Sequence, residues 1–326
     1  MPVMTMIEAI RSTLRSELER DDKVVVMGQD VGKLGGVFRA TENLQAEFGE
    51  DRVIDMPLAE ASIVGSALGM SLSGMKPIAE IQFLGFTHQA YHQIVPQLAR
   101  YRYRSRGRYT TPVVIRAPFG GGVRAPELHS DAIEAHFTHV PGLKVVMPSN
   151  PYEAKGLLLE AIRGEDPVLF CEPLKAYRLV KGEVPEEDYT IPFGQARVAR
   201  EGDDITLISW SAGVQLIEKA AEELAAEGIS AHVLDLRTLN PLDIDGIKEA
   251  VTRTGRAMVV HEATQTSGFG AEVVATIQEE TFYSLEAPVT RITSPDVPYP
   301  NIGIEEYFLP TVDRVVEEAK KVVAAS

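Results

Sequence analysis

The 326-residue chain holds a single cysteine, Cys171. One thiol excludes an internal disulfide framework and any cysteine-rich metal site. It lies in the apolar run Pro167-Val-Leu-Phe-Cys-Glu-Pro173, the setting of a buried core thiol rather than a nucleophile. Basic residues are scarce: 32 against 47 acidic ones, a net charge of −15. Nucleic-acid and anionic-membrane surfaces want a basic footprint, so both are disfavoured. An acidic chain suits instead a docking partner with a basic patch. No apolar run reaches the roughly 18 residues that a membrane-spanning helix needs. The opening Met-Pro-Val-Met-Thr-Met is neither a secretory signal nor an Arg-rich transit peptide, so the expected location is cytoplasmic. There is no P-loop and no H-E-x-x-H. His88 and His92 stand four apart on a predicted helix, but nothing nearby offers a third metal ligand.

What remains is an ordinary globular composition, 44% apolar and 24% charged, at a length suggesting two domains. Short buried runs such as Lys23–Met27, Arg52–Met56, Pro77–Phe83, Pro112–Arg116, Leu143–Met147 and Pro167–Cys171 read as strands. Helical patterns separate them: Ile7, Ile10, Leu14 and Leu18 share one face behind a Thr5/Glu8 capping box, and Pro151 opens another helix. Pro96 should bend a helix that begins near His88. Strand–helix alternation is the signature of a parallel sheet covered on both faces. Residues 173–203 lose the periodicity. The alternation then resumes from Ile205 to a last helix over 311–323. The expectation is two open, mostly parallel α/β sheets, residues 1–180 and 201–326, with a linker over 181–200.

Three places carry candidate chemistry. Glu60 sits where a loop after a strand turns into a helix rich in small residues, Ala61, Gly65 and Gly69 among them. Open α/β folds place ligands at such loops. An acid there also simply favours the positive end of a helix dipole. Two glycines inside the helix, each costing about 1 kcal/mol against alanine, call for close approach of another backbone, possible between subunits. His129 lies in the glycine-rich loop Pro118-Phe-Gly-Gly-Gly onward, where an imidazole can move a proton near neutral pH. Gly268-Phe-Gly-Ala-Glu-Val resembles a dinucleotide fingerprint but puts Val273 where a third small residue belongs, which leaves a nicotinamide oxidoreductase as a remote alternative. The basic–aromatic stripe Arg100–Arg108 fits acidic groups at a subunit interface better than single-stranded nucleic acid in so acidic a chain.

Taken together, Pro57-Leu-Ala-Glu60, Ala79-Glu-Ile-Gln-Phe83, Arg102-Tyr-Arg-Ser105, Pro118-Phe-Gly-Gly-Gly, His129-Ser130, Pro141-Gly-Leu-Lys-Val-Val146, Ala154-Lys-Gly-Leu157 and Leu234-Asp-Leu-Arg-Thr238 resemble the β subunit of thiamine-diphosphate 2-oxoacid dehydrogenases. The resemblance runs from about Met4 to the C-terminal helix. It implies a pyrimidine-binding domain followed by a transketolase-type C-terminal domain, in an α2β2 decarboxylase that serves a dihydrolipoyl acyltransferase core. Thiamine diphosphate must lose a thiazolium proton to become a nucleophile, and a carboxylate bonded to its aminopyrimidine assists that loss. By resemblance Glu60 takes this role, Leu58, Gln82 and Phe86 line the pyrimidine pocket, and His129 serves acyl transfer to the lipoyl group. The family's Gly-Asp-Gly…Asn-Asn motif is missing, so an α subunit must hold the diphosphate and its magnesium. Val113, Ala161, Ile162, Gly164 and Asp166 match a structural potassium site, although Gly164 stands where an acid is common, and Gln29 replaces a usual glutamate. Gly85-Phe86 and Pro126-Glu-Leu-His129 favour pyruvate as substrate. Branched-chain 2-oxoacids follow, and His261-Glu262 suggests acetoin as a third choice. A rival of another class is a scaffold subunit that docks on the core while the α chain does the chemistry.

Overall fold

The computed structural model describes residues 1–325. The strands Val24–Gly28, Val53–Asp55, Lys76–Glu80, Val114–Phe119, Lys144–Val146 and Val168–Pro173 form one sheet, paired in parallel throughout. Its spatial order is Lys144–Val146, Val168–Pro173, Val114–Phe119, Lys76–Glu80, Val24–Gly28, Val53–Asp55. Val24–Gly28, Val114–Phe119 and Val168–Pro173 are buried along their whole length, which is why they read as continuous apolar runs. The helices Met6–Arg20 and Pro151–Arg163 cover one face, packing Ile10, Leu14 and Leu18 with Leu157 and Leu158. The helix Glu60–Leu72 and the segment 87–98 cover the other through Ile63, Val64, Ile94 and Leu98. The Thr5/Glu8 capping box closes as the spacing requires, with the Thr5 hydroxyl accepting from the Glu8 N–H and the Glu8 carboxylate accepting from the Thr5 N–H.

A second sheet is ordered Thr290–Ser294, Ala257–Thr264, Ile205–Ser209, Ala231–Asp235, Arg197–Arg200, antiparallel only at the last pair. Helices Ala212–Ala226 and Val312–Ala324 cover one face. The helices Ile244–Thr254 and Gly270–Thr281 cover the other, and their Ile247, Val251, Val273 and Ile277 belong to the apolar cluster that contains Ile63, Ile94 and Phe137. The two sheets therefore share a continuous core.

Several expectations shift. The stretch 181–200 is not structureless: Lys181–Glu183 pairs antiparallel with Val3–Thr5, and Arg197–Arg200 edges the second sheet. The short strand Thr238–Asn240 crosses back and pairs antiparallel with Lys144–Val146 of the first sheet. At Pro96, where a bend is expected, the helix widens over Gln93–Leu98 to a π turn that accommodates the missing donor. The strand carrying Glu80 ends there, so Gln82 lies just beyond it rather than within it.

Candidate active site

Three loops leave the carboxyl edge of the seven-stranded sheet, following the strands Val53–Asp55, Lys76–Glu80 and Val114–Phe119. The first carries Leu58, 71% exposed, and Glu60 at the head of its helix. The Glu60 side chain is half-buried and makes no hydrogen bond or ion pair with any described residue. Its helix buries Ile63, Val64, Ala67 and Leu68 and exposes Ala61, Ser62, Ser66 and Gly69. Of its two glycines, Gly65 faces the Gln93 side chain, while nothing lies within 4 Å of where a Cβ on Gly69 would stand.

The second and third loops meet. His129 packs edge-on against Phe83, with ring centroids 4.5 Å apart, and against Phe86 at 5.1 Å. Its Nδ1 lies 3.0 Å from the Glu127 carbonyl oxygen, which fixes the proton on Nδ1 in the neutral ring and leaves Nε2 to act. The contact depends on Gly85: a Cβ there would stand 2.2 Å from the Leu128 carbonyl oxygen, so only glycine lets the His129 loop settle on this turn. Gln82 gives its amide to Asp30 Oδ2 at 3.0 Å, tying its loop to the end of the neighbouring strand Val24–Gly28. The structure thus joins Phe86 to His129 directly and sets Gln82 beside Asp30. Leu58 and Glu60 stand on the next loop along the edge, with no bond to either group.

Under this edge lies a charge cluster that the local sequence hides. The Arg116 guanidinium, fully buried, forks onto Glu172 at 2.6 and 2.8 Å and reaches Glu80 at 2.7 Å. The Tyr177 hydroxyl donates to Glu172 as well. Burial pushes the Glu80 carboxyl above its ordinary range despite Arg116, with Glu172 adding to the rise. Beyond the His129 loop stand Glu134 of the same unit and two acids of the other, Glu262 and Glu305. Burial raises Glu134 to about 6, and burial followed by the Glu134 charge raises Glu262 to about 7. Glu305 is 7% exposed. Only Glu262 among these had drawn notice in the sequence, through the His261-Glu262 pair.

The remaining candidates divide. Gly268 and Gly270 serve packing: a Cβ on Gly270 would stand 2.4 Å from His261 Nε2, so the pair of glycines houses a buried imidazole stacked on Trp210. Burial lowers that imidazole to about 4. His88 faces His136 at 3.5 Å rather than His92. Among the described residues no group of three or more His, Cys, Asp or Glu side chains could hold a metal. Ala161 and Ile162 close the helix Pro151–Arg163 and Gly164 caps it. The Asp166 carboxylate bonds Arg102 at 2.7 Å, and the Val113 carbonyl accepts from the Val168 N–H at 3.0 Å. Cys171 is fully buried, and burial holds its thiol well above its ordinary range. No helix of the described residues is long and apolar enough to cross a membrane.

A parallel α/β unit with ligand-facing loops at its carboxyl edge, followed by a second α/β unit, matches two family models. They are "Transketolase, pyrimidine binding domain" over residues 3–180 and "Transketolase, C-terminal domain" over 194–315. The fold is also that of a solved "split gene transketolase, inactive beta4 tetramer", with a TM-score of 0.80 and 25% identity over 99% of both chains. Among full-length relatives, the pyruvate dehydrogenase E1 component subunit beta of Bacillus subtilis is 54% identical over 99% of both chains. That of Staphylococcus epidermidis is 52% identical over 98% of both, and that of Staphylococcus aureus 51% over 98% of this chain and 99% of its own. The chain belongs to the family of 2-oxoacid dehydrogenase first-component β subunits, within the transketolase-type fold.

Proposed function

We propose that this chain supplies the pyrimidine side of a thiamine-diphosphate site in a pyruvate dehydrogenase first component. The enzyme decarboxylates pyruvate and passes the acyl group to lipoyl-lysine on an acyltransferase core. The full-length identity to pyruvate dehydrogenase β subunits supports pyruvate over branched-chain 2-oxoacids and acetoin. The observation that carries the catalytic role is the free, half-buried Glu60 carboxylate at the ligand edge of the sheet. A carboxylate with no partner among the described residues, an exposed Leu58 and the Phe86 ring together fit a flat, polar heterocycle. When bound, that cofactor supplies the nucleophilic carbon and the electron sink for decarboxylation. Glu60 would hold and share a proton at the pyrimidine ring, Leu58 and Phe86 would line its pocket, and Gln82, anchored by Asp30, would offer its amide oxygen. His129 presents Nε2 for proton transfer during acyl passage to the lipoyl group.

No Gly-Asp-Gly…Asn-Asn motif occurs in the chain, so the α subunit holds the diphosphate and magnesium in this reading. The exposed Ala61, Ser62, Ser66 and Gly69 ridge beside Glu60 suits a close subunit contact there. Potassium at the backbone of Val113, Ala161, Ile162 and Gly164, with Asp166 near, is a structural addition. Replacing potassium by a bulky organic cation should then lower the melting temperature. The location is cytoplasmic in this reading. The deciding experiment assembles the chain with its α partner and measures decarboxylation of pyruvate and branched-chain 2-oxoacids side by side. A preference for the branched substrates, or activity without the α chain, overturns the assignment.

A further inference from the structure

We infer that Glu305, from the C-terminal unit, is a positioning residue that holds the His129 loop in its working shape. The inference rests on the role proposed for His129. The loop over 120–130 has no regular secondary structure, and its backbone takes positive φ at Gly120, Gly122, Arg124 and Leu128. Such a segment has no ladder of its own bonds and keeps one shape only if outside groups impose it. At its His129 end the imposition comes from Gly85, Phe83 and Phe86. At its glycine end it comes from the other unit. Glu305 Oε1 accepts from the Gly122 N–H at 2.9 Å and the Arg124 N–H at 3.3 Å, and the Tyr299 hydroxyl donates to the same oxygen. Glu262 Oε2 accepts from the Gly121 N–H at 3.3 Å.

A carboxylate bonded to backbone N–H groups makes charge-assisted bonds roughly twice as strong as neutral ones. Glu305 is almost wholly shielded from water, so its oxygen has these donors and no solvent to replace them. The bonds span 183 and 181 residues of sequence and tie the second unit to the loop that bears His129. Glu305 touches no reacting atom in this arrangement; it acts through the loop.

The test uses the α2β2 assembly with Glu305→Ala, Glu305→Gln, His129→Ala and the Glu305→Ala/His129→Ala double variant. Amide hydrogen exchange over 120–130 reads the clamp directly. Glu305→Ala should speed it about tenfold or more, while Glu305→Gln, which keeps an oxygen acceptor, restores most of the protection. Acyl transfer to a lipoyl domain should fall about tenfold or more in kcat with Glu305→Ala, with little change in pyruvate KM. The double variant should be no slower than His129→Ala alone. Unchanged exchange in Glu305→Ala overturns the clamp. Losses that multiply in the double variant, or faster exchange with acyl transfer intact while His129→Ala abolishes it, overturn the positioning role. If His129→Ala alone leaves acyl transfer at the wild-type rate, the role proposed for His129 fails, and the exchange rates still decide the clamp.

Discussion

Replacing Arg116 by Met would strand two carboxylates in the centre of the first sheet. Arg116 lies on the strand between those that carry Glu80 and Glu172, and its fork satisfies both oxygens of Glu172 and one of Glu80. All three side chains are nearly or fully buried, so no water can take over these bonds. Breaking such a buried arrangement costs about 3–5 kcal/mol, because the remaining charges lose their partner but not their desolvation. For 326 residues unfolding together, the entropy of unfolding is about 0.7 kcal/mol/K, so the melting temperature should fall by about 4–7 °C. The stranded acids can relieve the strain by protonation, so the deficit should shrink as pH falls toward 5. Adding Glu80→Gln and Glu172→Gln to Arg116→Met should recover much of the loss. Thermal unfolding followed by far-UV circular dichroism, at pH 5 and pH 8, measures both effects. A shift of less than about 1 °C at pH 8, or a deficit independent of pH, would refute the reasoning.

Gly85→Ala places a Cβ against the Leu128 carbonyl at 2.2 Å, so the His129 loop must move. Acyl transfer to the lipoyl domain should drop about tenfold or more while assembly with the α chain persists; unchanged transfer would show that the loop contact has no bearing on His129. Glu262 titrates at about 7 in the folded chain against an ordinary 4.5, first through burial. A raised folded value means the folded state keeps a proton that the unfolded state has lost. That contribution to stability is full below about 4.5 and disappears as pH rises through about 7. Glu262→Gln should therefore gain stability relative to wild type between pH 5 and pH 8, and parallel melting curves across that range would contradict it.

The layered architecture was legible because the central strands of the first sheet are buried on both faces and the covering helices keep an apolar stripe. Val24-Val-Val-Met and the Ile7/Ile10/Leu14/Leu18 face are examples. The contacts that shape the site were not. Arg116, Glu80 and Glu172 are separated by 36 and 56 residues, and only strand order brings them together. In the sequence Glu80 appears only within Ala79-Glu-Ile-Gln-Phe83, without a visible partner. The strand Thr238–Asn240 is three residues long and joins the other unit's sheet, where no local periodicity could reveal it. Gly85 carried a signal only as part of a family pattern; its steric reason appears once Leu128 is seen against it. The glycines at 268 and 270, by contrast, had an audible but ambiguous signal, and the packing of His261 accounts for them.

The central claim is that Glu60, whose side chain has no partner among the described residues, does chemistry at a site completed by another subunit. The most direct measurement is the rate of pyruvate decarboxylation by the α2β2 assembly carrying Glu60→Gln, with thiamine diphosphate and magnesium present. Loss of a positioned proton-sharing group should lower kcat by about 10²–10⁴-fold while the tetramer stays intact. Decarboxylation at the wild-type rate in that intact assembly would contradict the claim and leave this chain as a scaffold.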